Sequence, residues 1–164
     1  MKPIRRKAAA AATKTGRGPV TKLVHDGPNR SLLGTREPAV HEHDTLADID
    51  RRLQAQADTA GVGVQMFQSN HEGALIDRVQ AARTDGARFI VSHPAGLTHA
   101  SVVLRDALAG VDVPFIDVHA TNVHAREAFR QHSCTSDKAV GTIAGLGACR
   151  YGCALAFAVN RLEG

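Results

Sequence analysis

Arg88-Phe89-Ile90-Val91-Ser92, followed by His93-Pro94-Ala95-Gly96, decides the fold. Its centre is short and continuously apolar, with no polar alternation. That is the pattern of a strand covered on both faces, as in a parallel sheet. Pro94 lacks a backbone donor and Gly96 frees the dihedrals, so the strand stops there. Upstream, Thr21-Lys22-Leu23-Val24-His25 forms another strand candidate, ended by Asp26-Gly27-Pro28-Asn29, and residues 62–67 alternate into a further one. Downstream, strands are expected over 113–118 and 140–146, the last interrupted by glycines. Between them, apolar residues recur every three to four positions. Leu46, Ile49, Leu53 and Ala57 follow a Thr45 N-cap, and Leu75, Ile76, Val79 and Ala82 follow a turn at 68–73. Helices are also expected over 98–108 and 151–162, with a short helical piece at 125–132. Such alternation implies right-handed crossovers and a flavodoxin-like, three-layer, doubly wound sheet of five parallel strands.

The chain of 164 residues suits one domain with a sizeable core. No apolar run is long enough to span a bilayer. With no Trp and one Tyr, the composition argues against stacking on exposed bases as a main activity, and no nucleic-acid partner is expected. The net charge of +4 belongs to the beginning of the chain. Residues 1–19 hold six basic residues and no acid, leaving 14 basic against 16 acidic residues beyond them. We therefore expect a basic, disordered tail over 1–19 and a folded domain over 20–164. Three cysteines, none in a two-residue-gap pair, fit a reducing, cytoplasmic compartment. Cys149 and Cys153 share one face of the last helix, where core packing is the simplest expectation.

In an open sheet of this kind, ligands bind past the carboxyl ends of the strands, at the switch between strands one and three. Asn29, the loop running to His41, His93 and His119 all fall at strand ends and are expected round one pocket. Nine histidines raise a metal site, but no dense ligand motif accompanies them, and no metal is expected. Gly141-Thr142-Ile143-Ala144-Gly145-Leu146-Gly147 is glycine-rich, yet it stands too near the end of the chain for a dinucleotide fingerprint. Close strand-to-helix packing is the expected use.

Four segments are weak one by one, Gly27-Pro28-Asn29, Leu32-Leu33-Gly34-Thr35-Arg36-Glu37-Pro38, Gln68-Ser69-Asn70-His71-Glu72-Gly73 and Gly96-Leu97-Thr98-His99-Ala100-Ser101, and they are followed by the more telling run Asp117 to Ser133. In this order and spacing they resemble the type II 3-dehydroquinate dehydratases over residues 20–162. The resemblance implies a hydro-lyase of the shikimate and quinate pathways. It would remove water from 3-dehydroquinate by anti elimination through an enolate, with no metal or organic cofactor. Such a step needs a base for the proton next to the ketone, a site for the enolate and an acid for the leaving hydroxyl.

By resemblance, His119 is the acid. Asn29 helps hold the water that stabilises the enolate, and Arg36 supplies positive charge near the base. His99, Asp106 and Arg130 resemble the substrate-binding side chains, with backbone donors at Ala120 and Thr121. Asp117 stands where the family usually has Glu and orients its neighbouring histidine from one methylene further back. Two positions depart from the pattern: His41 occupies the place of the tyrosine base, and His93 that of a substrate-holding asparagine. A free imidazole titrates near about 6.5, and Arg36 beside His41 would disfavour its cation, so a neutral base is chemically available there. The family also implies a homo-oligomer of trimers assembled into a dodecamer. A second reading stays open at this level: a non-catalytic paralogue that binds quinate-like cyclic polyhydroxy carboxylates.

Overall fold

The computed structural model describes residues 20–34 and 44–163. Five parallel strands form one sheet in the order β2-β1-β3-β4-β5. They are β1 (Val20–Asp26), β2 (Gly63–Gln68), β3 (Phe89–His93), β4 (Phe115–His119) and β5 (Thr142–Ala144). Helices α1 (Leu46–Thr59) and α4 (Cys149–Glu163) cover one face, and α2 (Glu72–Ala81) and α3 (Val102–Gly110) the other. β3 is buried along its whole length, as its apolar run requires. Period two then divides the neighbouring strands between two cores. Val24 of β1, Phe89 and Val91 of β3, and Ile116 and Val118 of β4 pack with Leu53, Tyr151 and Leu155. Leu23, Ile90 and Phe115 pack with Leu75, Val79, Leu104 and Leu108.

Thr45 caps α1 as expected. Its hydroxyl accepts from the Asp48 backbone N–H at 3.2 Å, and the Asp48 carboxylate accepts from the Thr45 N–H at 3.1 Å. Three other boundaries differ from the sequence reading. The helix expected from Thr98 begins at Val102, because the Ser101 hydroxyl accepts from the Leu104 N–H at 2.9 Å and makes the cap, while Ala95–His99 forms a 3-10 turn. Residues 125–132 hold no α-helix but the last residue of one 3-10 turn, Val123–Ala125, and the whole of another, Ala128–Arg130. β5 shrinks to three residues, because Gly145 and Gly147 turn to positive φ immediately after it.

The cysteine expectation is corrected outright. Cys149 and Cys153 are both exposed, and α4 buries Tyr151, Ala154, Leu155 and Ala158 instead. Helical spacing showed that the two cysteines share a face, and tertiary packing placed that face outward.

The switch between β1 and β3 is drawn unusually tight. The Gly27 N–H donates to the His93 carbonyl at 2.9 Å. A Cβ on Gly27 would stand 2.2 Å from the Pro94 carbonyl oxygen, so only glycine fits where the two strand ends meet.

Candidate active site

Beyond that meeting point, the chain turns through Asn29 in the left-handed region, φ 66°, a conformation asparagine tolerates better than most residues. The Asn70 side-chain oxygen accepts from the Asn29 backbone N–H at 2.9 Å and holds the turn. The ends of β1, β3 and β4 then enclose a pocket of about 440 Å³. Asn29, His93, His99, His119, Ala120, Thr121 and Arg130 all line it. Seven of the ten sequence-chosen contact residues are thus gathered in one place. Arg36 and His41 lie outside the described residues. Asp106 is not brought to the pocket: it sits exposed on α3 and lines a separate cleft with Gln80, Arg83 and Val103.

His119 ends β4, and period two sets Asp117 on the same side of the sheet. The two side chains meet, with Asp117 Oδ2 3.2 Å from His119 Nε2. That oxygen also accepts from the hydroxyls of Ser133 (3.1 Å), Thr135 (2.9 Å) and Ser136 (2.7 Å). Burial alone would raise the Asp117 carboxyl, but His119 and the Ser136 and Thr135 hydroxyls outweigh it and hold the group below its ordinary value. An ionised carboxylate fixed from three sides orients the imidazole, even though aspartate is one methylene shorter than glutamate.

His99 is oriented differently. Its Nδ1 lies 2.7 Å from the His132 carbonyl, which can only accept, so Nδ1 carries the proton and donates. At the mouth, Glu127 Oε2 lies 3.3 Å from both Arg126 Nε and Arg130 Nε. Two guanidiniums against one carboxylate leave this rim positive, which suits a carboxylate-bearing ligand. Arg126 also donates to the Thr121 hydroxyl at 3.2 Å.

Beneath the pocket is a buried polar cluster that the sequence reading did not assemble. Asp26 and His93 are partners in the β1–β3 register, and Asp26 Oδ1 lies 3.4 Å from both His93 Nδ1 and Arg30 Nε. The Tyr151 hydroxyl donates to the same oxygen. Burial pushes His93 down to about 3, so it is neutral. Burial works to raise the Asp26 carboxyl, but His93, Arg30 and the Tyr151 hydroxyl hold it below its ordinary value. The hints available in sequence were the unusual Asp26, Arg30 and His93 themselves.

Five parallel strands in this order, with histidines and an arginine converging beside the switch point, define a flavodoxin-like α/β protein with a polar pocket at its strand ends. The chain belongs to the class II dehydroquinase family: the model described as "Dehydroquinase class II" matches residues 20–159. It is 56% identical over 143 residues to a 3-dehydroquinate dehydratase of Acinetobacter baumannii, covering 87% of this chain and 95% of that one. To the corresponding protein of Stenotrophomonas maltophilia it is 60% identical over 141 residues, covering 86% and 95%. Among solved structures, the type II dehydroquinase of Butyrivibrio crossotus superposes with a TM-score of 0.82 at 37% identity, covering 86% of this chain and 99% of that one. The match leaves the basic residues 1–19 outside the family domain.

Proposed function

We propose that the protein is a 3-dehydroquinate dehydratase, converting 3-dehydroquinate to 3-dehydroshikimate in the shikimate and quinate pathways without metal or organic cofactor. The observation that carries this reading is the convergence of Asn29, His119, Ala120, Thr121 and Arg130 on one pocket in a chain of this family. A base removes the proton beside the ketone, and the electron pair passes into the enolate. The carbon–oxygen bond then breaks, and His119 protonates the departing hydroxyl as water. The grip of Asp117 on His119 supports the acid role. The positive rim of Arg126 and Arg130 supports capture of the substrate carboxylate, with Ala120 and Thr121 as backbone donors. His41 is our candidate for the base, Arg36 for the charge beside it, and His93 for a ligand contact made by neutral imidazole.

Mixing purified protein with 3-dehydroquinate should produce enone absorbance, and none above background at high protein concentration would remove the enzymatic reading for this substrate. The double variant His41→Tyr, His93→Asn should turn over faster than the parent. Quinate binding by calorimetry without any parental turnover would instead mark a non-catalytic binding protein.

We also propose assembly into trimers and from these a dodecamer. α3 carries Val102 and Val103, 59% and 54% exposed, beside the exposed Asp106. Such an apolar face favours cover by another copy, which would give Asp106 a pocket to complete. Light scattering should report an oligomer, and a monomer would overturn both parts. No helix among the described residues is long and apolar enough to cross a membrane. A cytoplasmic setting agrees with the three free cysteines.

A further inference from the structure

Behind Ala120 and Thr121, a second cavity of about 310 Å³ opens toward α1 and the start of α4. Arg30 and Arg150 line it, and they are only 6% and 2% exposed. Among the described residues, their surroundings hold little negative charge. Asp26 lies 3.4 Å from Arg30 Nε and also accepts from Tyr151. Asp44, at the cavity wall, is paired with Arg52 at 2.6 Å. His93 is neutral. Among the described residues, two buried guanidiniums therefore have only the Asp26 carboxylate near them that is not already paired with another cation.

Arg150 carries most of the imbalance. One of its nitrogens, Nη1, donates to the Gly147 carbonyl, and the guanidinium lies 4.3 Å from the Tyr151 ring centroid. Its Nε and Nη2 are buried and have no hydrogen-bond partner among the described residues. A guanidinium cannot shed its proton to escape this, and a buried charge without a partner is strongly disfavoured. Its planar fork matches the paired oxygens of a carboxylate or phosphate.

We propose that this cavity is a binding site for a small oxyanion, a phosphate or carboxylate group held between Arg30 and Arg150. It is separate from the catalytic pocket but shares Arg30, Leu33, Ala120 and Thr121 with it. The anion thus stands against the rear wall of the site where the cyclic substrate is proposed to bind.

Calorimetric titration of the full chain with inorganic phosphate tests this without reference to turnover, so its failure and that of the dehydratase reading are distinct. Phosphate should bind, and Arg150→Met should weaken it by about ten- to a hundredfold, the loss expected for charge-assisted hydrogen bonds. Arg130→Ala, in the catalytic pocket, should leave phosphate affinity unchanged. Repeating the titration with saturating quinate separates the two sources. Undiminished binding assigns the site to a free anion. Competition that is still sensitive to Arg150→Met assigns it to an acidic group on a ligand that spans both cavities. Should Arg150→Met fail to fold, Arg150→Lys preserves the charge and should weaken phosphate while circular dichroism stays native. No phosphate binding to the parent protein, or binding lost in Arg130→Ala and untouched by Arg150 substitution, overturns the proposal.

Discussion

His119→Ala is expected to lower kcat for 3-dehydroquinate by about 10²–10⁴-fold, the range for removing a positioned general acid, with ligand binding largely retained. The size follows from how much of the fold is devoted to this one ring. β4 delivers His119 to the pocket wall, Asp117 stands 3.2 Å from Nε2, and Ser133, Thr135 and Ser136 lock the carboxylate. Alanine removes the proposed proton donor while the Ala120 and Thr121 backbone and Arg130 keep their places. Loss should therefore fall on kcat, not on KM. Steady-state kinetics, with quinate affinity measured separately, checks both halves. A variant within about threefold of the parent rate would place the acid elsewhere, since even modest acid catalysis exceeds that factor.

The sheet was legible because its signals are local. The unbroken apolar centre of β3 and the Thr45 cap needed no partner to be recognised, and the strand ends bearing Asn29, His93 and His119 fell where the polar breaks stand. What escaped depends on distance in sequence or on the direction of a face. Tyr151 meets Asp26 across 125 residues, so the buried cluster under His93 has no local signature. Period 3.6 groups Cys149 with Cys153 but does not say whether α4 turns that stripe inward. Asp106 could be chosen by its resemblance to a family position, yet its own chain sets it on an exposed helix away from the pocket. Ser133, Thr135 and Ser136 carry no local signal of what their hydroxyls meet, and only the return of their loop to Asp117 shows it.

Two neutral histidines inside the fold should make it acid-sensitive at a pH where its carboxylates are still ionised. His25 is fully buried on β1, with Nδ1 3.4 Å from the Ser92 hydroxyl and Nε2 without a partner among the described residues. Burial pushes it down to about 4, against an ordinary value of 6.5; Arg78 adds to that, while Asp26 and Asp117 oppose it. Burial likewise takes His93 to about 3. Each group binds a proton more readily unfolded than folded. Stability is therefore full above the unfolded value, falls as pH drops through 6.5, and levels off only near the folded values of about 4 and 3. Asp26 works in another window, because its carboxyl is held below the ordinary 3.8, so its contribution persists until the medium is more acidic than that. Between pH 7 and pH 5 each histidine should cost about 2 kcal/mol of folding stability by proton linkage. Urea unfolding should show the fall, and His25→Leu should remove about half of it. At pH 7 the leucine should be tolerated, since it replaces a buried ring whose Nε2 already lacks a hydrogen bond. Equal losses in parent and His25→Leu would show that His25 is not the proton acceptor and that other groups drive acid unfolding.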